Sequence, residues 1–365
     1  MTIINNLNET ILNLARPEIR DLTPYVSARS DNPSTNSEQI YLNANENNYP
    51  LPGYEHLNLH RYPEAAQPEK LIQKITELYN VQSDQIIITR GSDEAIDLLI
   101  RTFCRAYQDK ILICPPTFGM YEFYANIQGA SVVNIPLLKA QNFKLDTINL
   151  LQAWQPAIKL IFLCSPNNPT GNLLAKSDII KICKALKGQA LIVVDEAYIE
   201  FATTASLTQI MQEYPHLVIL RTLSKLYGLA GARCGVAIAH PTIIYLLQKA
   251  LPPYPLPVTT VETVYQHLTP TNLEIIKNNR ELLIKEREKM YEFFQNQSFV
   301  KQVWRGDANF LLVEVNNAAA LIKHCETHGI IIRNRNNDYG LENCVRISIG
   351  TAAENQRVRE VLANG

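Results

Sequence analysis

The feature that most constrains this chain is an alternation that begins near Gln85, where short β-branched runs are separated by longer segments of helical period. The runs are QIIIT from Gln85, KILIC from Lys110, KLIFLC from Lys159, ALIVVD from Ala190, LVIL from Leu217 and CGVAIA from Cys234. Each has the length and continuous apolarity of a strand covered on both faces. Between or after them, EAIDLLIRTFCRAY, DIIKICKALK and TIIYLLQKAL read as helices. Strands that alternate with helices build βαβ units, so the expectation is an α/β protein with a mostly parallel sheet between layers of helix.

A proline cluster, LPPYPLPV, ends at Val258 and cannot continue the helix before it. We place the end of a large domain there, covering 45–258. The remainder, 259–365, opens with a long charged helix, NLEIIKNNRELLIKEREKMYEFF. Two strand-like stretches follow, NFLLVEV and CVRISIG, with a helical AAALIKHCETHG between them. That reads as a smaller α+β domain. Residues 1–44 are expected to form an amphipathic helix and then an arm laid on the small domain, since Ser27 to Glu38 has no apolar period.

Lysine plus arginine (34) nearly balance aspartate plus glutamate (35), which removes the broad field a nucleic-acid or membrane binder would need. Any anion must be bound locally. The seven cysteines are scattered and form no CxxC pair, as expected of reduced thiols in a cytoplasmic protein. The N-terminus lacks the parts of a signal peptide, and no apolar run approaches the roughly 20 residues of a membrane span.

Ligands of open α/β sheets bind beyond the carboxyl ends of the strands, so the residues after each run deserve inspection. QIIIT leads into RGSDE, KILIC into PPTFGMY, KLIFLC into SPNNPTG, ALIVV into DEAY, and LVIL into RTLSKLYGLAGARCG. The Gly91-Ser92-Asp93 turn opens a long helix whose free N–H groups suit an anion, although alone it would be an ordinary cap. Ser224 and Arg233, flanking Lys225, add a hydroxyl and a charge. Small residues at Gly228, Ala230 and Gly231 let a ligand approach the backbone.

Most lysines are solvated surface charges, but Lys225 at a strand end suits an amine that must attack a carbonyl, as in Schiff-base enzymes. Asp195 supplies a carboxylate able to keep a pyridine nitrogen protonated. Asn168 and Tyr198 can donate to a ring oxygen, and Phe118, in a turn set by two prolines, can stack on a ring. His324 and His328 share a helix face, but without further ligands they read as surface residues and no metal site is expected.

Taken in order, these segments resemble the fold type I aminotransferases over essentially the whole chain. LTPY at Tyr25, YLNANEN, RYPE at Arg61, DEAYIEF and PYPLP narrow the resemblance to the histidinol-phosphate branch of that family. The resemblance implies a seven-stranded large-domain sheet, pyridoxal 5'-phosphate as cofactor, and amino-group exchange between L-histidinol phosphate and 2-oxoglutarate in histidine biosynthesis, with L-glutamate as the other amino donor. Lys225 would hold the cofactor in imine linkage and move the proton. Asp195 would pair with the ring nitrogen, Asn168 and Tyr198 with the ring oxygen, and Phe118 would stack. Some members of the family have Tyr in place of Phe118, which would add a hydrogen bond.

Ser92, Asp93, Ser224 and Arg233 would bind the cofactor phosphate, joined by Tyr62 from the second subunit of a homodimer with shared active sites. Tyr25, Asn45, Tyr62, Asn168, Arg333 and Arg346 would contact substrate, with Arg346 accepting either a phosphate or a carboxylate because a guanidinium fork fits both. Related chemistries on the same fold are an aromatic transaminase and a phospho-threonine decarboxylase. A silent binding protein on this fold would be expected to lack Lys225 or Asp195, and both are present.

Overall fold

In the computed structural model, residues 7–25, 42–50, 52–53, 57–63 and 67–363 are described. All six apolar runs form strands of one sheet: β1 (Ile86–Thr89), β2 (Lys110–Ile113), β4 (Ile158–Cys164), β5 (Leu191–Asp195), β6 (Leu217–Thr222) and β7 (Gly235–Ile238). A seventh strand, β3 (Ser131–Asn134), lies at one edge and was not visible in the sequence. Its SVVN segment is half exposed, so it lacks the apolar run that marked the others. The order is β1-β7-β6-β5-β4-β2-β3, parallel except that β7 runs antiparallel to both β1 and β6.

Alternate residues of each strand feed opposite layers, as the two-residue period requires. Ile86, Ile88, Ile161 and Ile192 pack beneath helices Glu69–Tyr79, Lys176–Ala185 and Val258–His267. Ile87, Ile111, Phe162 and Val193 pack beneath Ser92–Phe103, Met120–Gln128 and Pro241–Ala250. The helix after the proline cluster still buries Val261 and Val264 in the large-sheet core.

The N-terminal segment departs from expectation. Pro17 divides it into two short helices, Glu9–Leu12 and Pro17–Arg20, and they pack on the large domain, not the small one. Ile11, Leu14, Ala15 and Ile19 match the apolar face of Pro241–Ala250, the Asn8 amide donates to Thr242 Oγ1 (2.9 Å), and the Arg16 amide donates to Thr102 O (3.1 Å). The expected arm from Ser27 to Glu38 lies outside the described residues.

The helix Pro270–Gln295 leads to a second sheet of β8 (Val300–Trp304), β9 (Phe310–Val315), β10 (Arg333–Asn334) and β11 (Cys344–Ser348), ordered β10-β11-β9-β8 and antiparallel throughout. Met290, Phe294, Val313, Val345 and Ile347 form its core.

Candidate active site

The carboxyl ends of β1, β4, β5 and β6 lie along one edge of the sheet, and β7, running the other way, starts there. This brings segments far apart in sequence around a cavity of about 420 Å³. Eleven of the fourteen expected residues line it: Ser92, Asp93, Phe118, Asn168, Asp195, Tyr198, Ser224, Lys225, Arg233, Arg333 and Arg346. Tyr25, Asn45 and Tyr62 do not. Tyr25 is 77% exposed, Asn45 is exposed in the left-handed region (φ 54°), and Tyr62 stacks on Tyr254 with centroids 4.5 Å apart.

One end of the cavity is an anion cradle. The helix Ser92–Phe103 begins there with Gly91 as its cap at φ 81°, directing the free amides of the first turn inward. Arg233, itself left-handed at φ 52°, donates through NH1 to Ala230 O (3.1 Å) and approaches Asp93 Oδ2 through NH2 (3.4 Å). Gly235 allows this meeting, because a Cβ there would fall 2.3 Å from the backbone of Gly91 and Ser92. Ser224 is fixed by Thr222, whose hydroxyl donates to Ser224 Oγ (3.0 Å) and accepts from the Ser224 amide (3.2 Å).

Deeper in, the Asp195 carboxylate is 2% exposed. Its Oδ2 accepts from the Tyr121 hydroxyl (2.8 Å) and its Oδ1 from the Ala197 amide (3.1 Å). Burial pushes the carboxyl up to about 6, and those two donors oppose the shift. A buried carboxylate with two neutral donors still lacks a cation, which is what a protonated ring nitrogen would provide. Lys225 is open to solvent through the cavity mouth, with its Nζ 5.4 Å from the centre of the Tyr198 ring. Surrounding protein, and then the charge of Arg346, hold its ammonium below the ordinary lysine range. That favours the neutral amine a nucleophile needs. Burial raises the Tyr198 phenol, so it stays a neutral donor.

The small domain closes the other side. Arg346 NH1 donates to Asn168 Oδ1 (2.6 Å), and its guanidinium lies 5.1 Å from the centre of the Phe310 ring. Across the β10–β11 pair it is in register with Arg333. The buried Nε atoms of Arg346 and Arg335 have no hydrogen-bond partner among the described residues.

Sequence reasoning missed Tyr121, Thr222 and Arg335. Tyr121 sits in the quoted PPTFGMY but reads as a helix-face aromatic, while Arg335 lies at i+2 from Arg333, the strand spacing that puts two side chains on one face. The histidine pair has local partners: His324 Nε2 meets Val361 O (3.1 Å), and His328 Nδ1 meets His324 O (2.8 Å).

The family described as aminotransferase class I and II matches residues 37–362. Histidinol-phosphate aminotransferase 1 of Haemophilus influenzae (strain 86-028NP) is 40% identical over 97% of this chain and 99% of its own. The crystal structure of the histidinol-phosphate aminotransferase from Clostridium acetobutylicum superposes with a TM-score of 0.76 at 27% identity, over 84% of this chain and 91% of that one. A histidinol-phosphate aminotransferase from Sinorhizobium meliloti, solved in complex with pyridoxal-5'-phosphate, shares the fold with a TM-score of 0.74 at 22% identity, over 86% of this chain and 88% of that one.

Proposed function

The chain belongs to the class I and II aminotransferases, and from that premise we propose that it exchanges an amino group between L-histidinol phosphate and 2-oxoglutarate, giving imidazole-acetol phosphate and L-glutamate, in histidine biosynthesis. It is an enzyme that uses pyridoxal 5'-phosphate. The observation that carries the substrate assignment is the gathering of Arg333, Arg335 and Arg346 over the cavity that also holds Lys225 and Asp195, because such a cluster fits a phosphate-bearing amine.

The residues present fit the cofactor. The amides of the Ser92 and Asp93 turn, Ser224 Oγ and Arg233 form a cradle for a phosphate; Asp195 lies buried and in want of a cation; Phe118 borders the cavity as a ring-stacking surface. When bound, pyridoxal 5'-phosphate supplies a carbonyl for imine exchange and a protonated ring that withdraws electrons from an adjacent C–H bond.

Lys225 Nζ would be the nucleophilic amine that holds the cofactor and, with the cofactor bound, the general base and acid that moves the substrate proton. Burial and the charge of Arg346 lower its basicity, which favours the neutral amine. Asp195, held at both oxygens by Tyr121 and Ala197, would keep a bound ring nitrogen protonated. Asn168 and Tyr198 would hold the ring oxygen, and the Asn168 contact to Arg346 would couple that end to substrate recognition. Arg346 takes the substrate phosphate in one half-reaction and a glutamate carboxylate in the other.

Tyr25, Asn45 and Tyr62 stand outside the cavity of their own chain. Tyr25 and Tyr62, like the neighbouring Leu42, Tyr49 and Leu59, are exposed, which supports a homodimer in which they complete the partner's site. All seven cysteines are free and buried, which supports a reducing, cytoplasmic setting; no described helix is long and apolar enough to cross a membrane.

Single-turnover spectroscopy of the cofactor-loaded enzyme tests the assignment, with L-histidinol phosphate, glutamate, phenylalanine and threonine phosphate added separately. Conversion of the cofactor to its amine form by the first two is the expected result. Reaction with phenylalanine but not histidinol phosphate would instead define an aromatic transaminase, and loss of carbon dioxide from threonine phosphate a decarboxylase.

A further inference from the structure

We propose that Arg335 is the residue that distinguishes the phosphate-bearing substrate from the carboxylate-bearing one, an inference that rests on the histidinol phosphate reading above. A carboxylate carries one charge on two oxygens, and one guanidinium fork satisfies it. A phosphate monoester carries roughly −1.5 to −2 at neutral pH and offers three acceptor oxygens, so it needs charge from a second direction.

The three arginines at the cavity are not equivalent. Arg346 presents a fork already oriented by Asn168. Arg333 is exposed, and water screens much of its charge. Arg335 is enclosed, its side chain 18% exposed, and its buried Nε is unpartnered among the described residues. One contact is made, from NH1 to Asp338 Oδ2 at 3.2 Å, and Asp338 is itself nearly one-third exposed. Burial disfavours the Arg335 charge most, Asp338 favours it, and Arg333 opposes it again. A doubly charged anion between these groups would relieve the imbalance, whereas a carboxylate on Arg346 would leave much of it in place.

Arg335 is also positioned in advance. Its backbone amide donates to Cys344 O (3.0 Å), tying it to β11. The loop beyond is fastened by Lys139, whose ammonium donates to Gly340 O (3.0 Å) and pairs with Glu314 (3.0 Å). The fold therefore holds the guanidinium at the cavity without help from substrate, the condition for selectivity by preorganisation.

The test compares the wild-type holoenzyme with Arg335→Gln in the two half-reactions separately, and adds calorimetric titration with inorganic phosphate, the cofactor's own phosphate occupying the Ser224–Arg233 cradle. Expected is a loss of about tenfold or more in kcat/KM for histidinol phosphate and a similar weakening of inorganic phosphate binding. The glutamate half-reaction should stay within about twofold, which also serves as the control for folding. Arg335→Lys, which keeps the charge but loses the fork, should fall between, and it carries the same comparison if the glutamine variant does not fold. Equal losses in both half-reactions, or no change in phosphate affinity, would overturn the assignment. If wild type fails to use histidinol phosphate, the substrate reading falls by itself, and the phosphate titration alone then decides whether Arg335 holds a phosphate.

Discussion

Arg333 and Arg346 face one another directly across the β10–β11 pair. Like charges in register weaken an antiparallel pair, so this is an arrangement that costs the empty protein and favours whatever anion enters. Stability and activity should respond to it in different ways.

Arg346→Ala removes a charge-assisted contact to Asn168 and the fork offered to both substrates. We expect kcat/KM to fall roughly ten- to a hundredfold in both half-reactions, with thermal stability little changed because relief of the Arg333 repulsion offsets the lost bond. A loss confined to one substrate would end the dual-use assignment.

Lys225→Ala should abolish turnover and the visible absorbance of the lysine-linked cofactor. Since its surroundings disfavour the lysine charge, the fold should not suffer, and the unfolding midpoint should move by no more than a few degrees. Wild-type turnover in this variant would remove Lys225 from the chemistry.

Asp195 makes stability depend on pH in the cofactor-free protein. Its folded-state value, about 6, lies above the ordinary 3.8, so the native state binds the proton more tightly than the unfolded chain does. Stability from this group is therefore present below about pH 4 and lost as pH rises through about 6, a change of order 2–3 kcal/mol. Asp195→Asn should raise the cofactor-free unfolding temperature at pH 7 but not at pH 4, as calorimetry at both pH values would reveal. The same change should weaken cofactor retention.

Tyr121 meets the cavity through Asp195, to which its hydroxyl donates at 2.8 Å, while its ring stacks on Phe162 and lies edge-on to Phe118. Tyr121→Phe keeps the ring and deletes the donor. A hydrogen bond to a charged group contributes about 1.5–3 kcal/mol, so cofactor dissociation should quicken and kcat drop about tenfold or more, with KM for either substrate nearly unchanged. A rise in KM without a change in kcat would place Tyr121 in substrate binding instead.

Gly235→Ala would drive a methyl into the backbone of Gly91 and Ser92. Overpacking against backbone costs about 1–3 kcal/mol or more, and here it also pushes the helix start away from Arg233. Phosphate-cradle affinity, measured by cofactor titration, should fall further than global stability does.

The strand ends were legible because a fully buried strand writes itself as an unbroken apolar run, and the polar residue that follows, as with Asp195 after Leu191–Val194, stands out against it. β3 and β8 were not, since a half-exposed strand such as SVVN or VKQVW carries too little contrast. β10 is two arginine-and-asparagine residues paired to β11, with no apolar signal at all. The reversal of β7 was also hidden, because burial on both faces looks the same in either direction. Arg335 was lost in an asparagine-rich stretch, where its i+2 spacing from Arg333 is a faint signal without an apolar run beside it. The N-terminal helices misled because their apolar stripe says that they pack but not on what.

The antiparallel entry of β7 also orders events during synthesis. A chain that has emerged only as far as Leu229 already possesses Asp195, Ser224 and Lys225, yet it has neither Arg233 nor the strand that brings Gly235 against Gly91. Such a nascent chain owns the reactive amine without Arg233 or the strand that braces the helix start, so the phosphate cradle is complete only once β7 has joined the sheet.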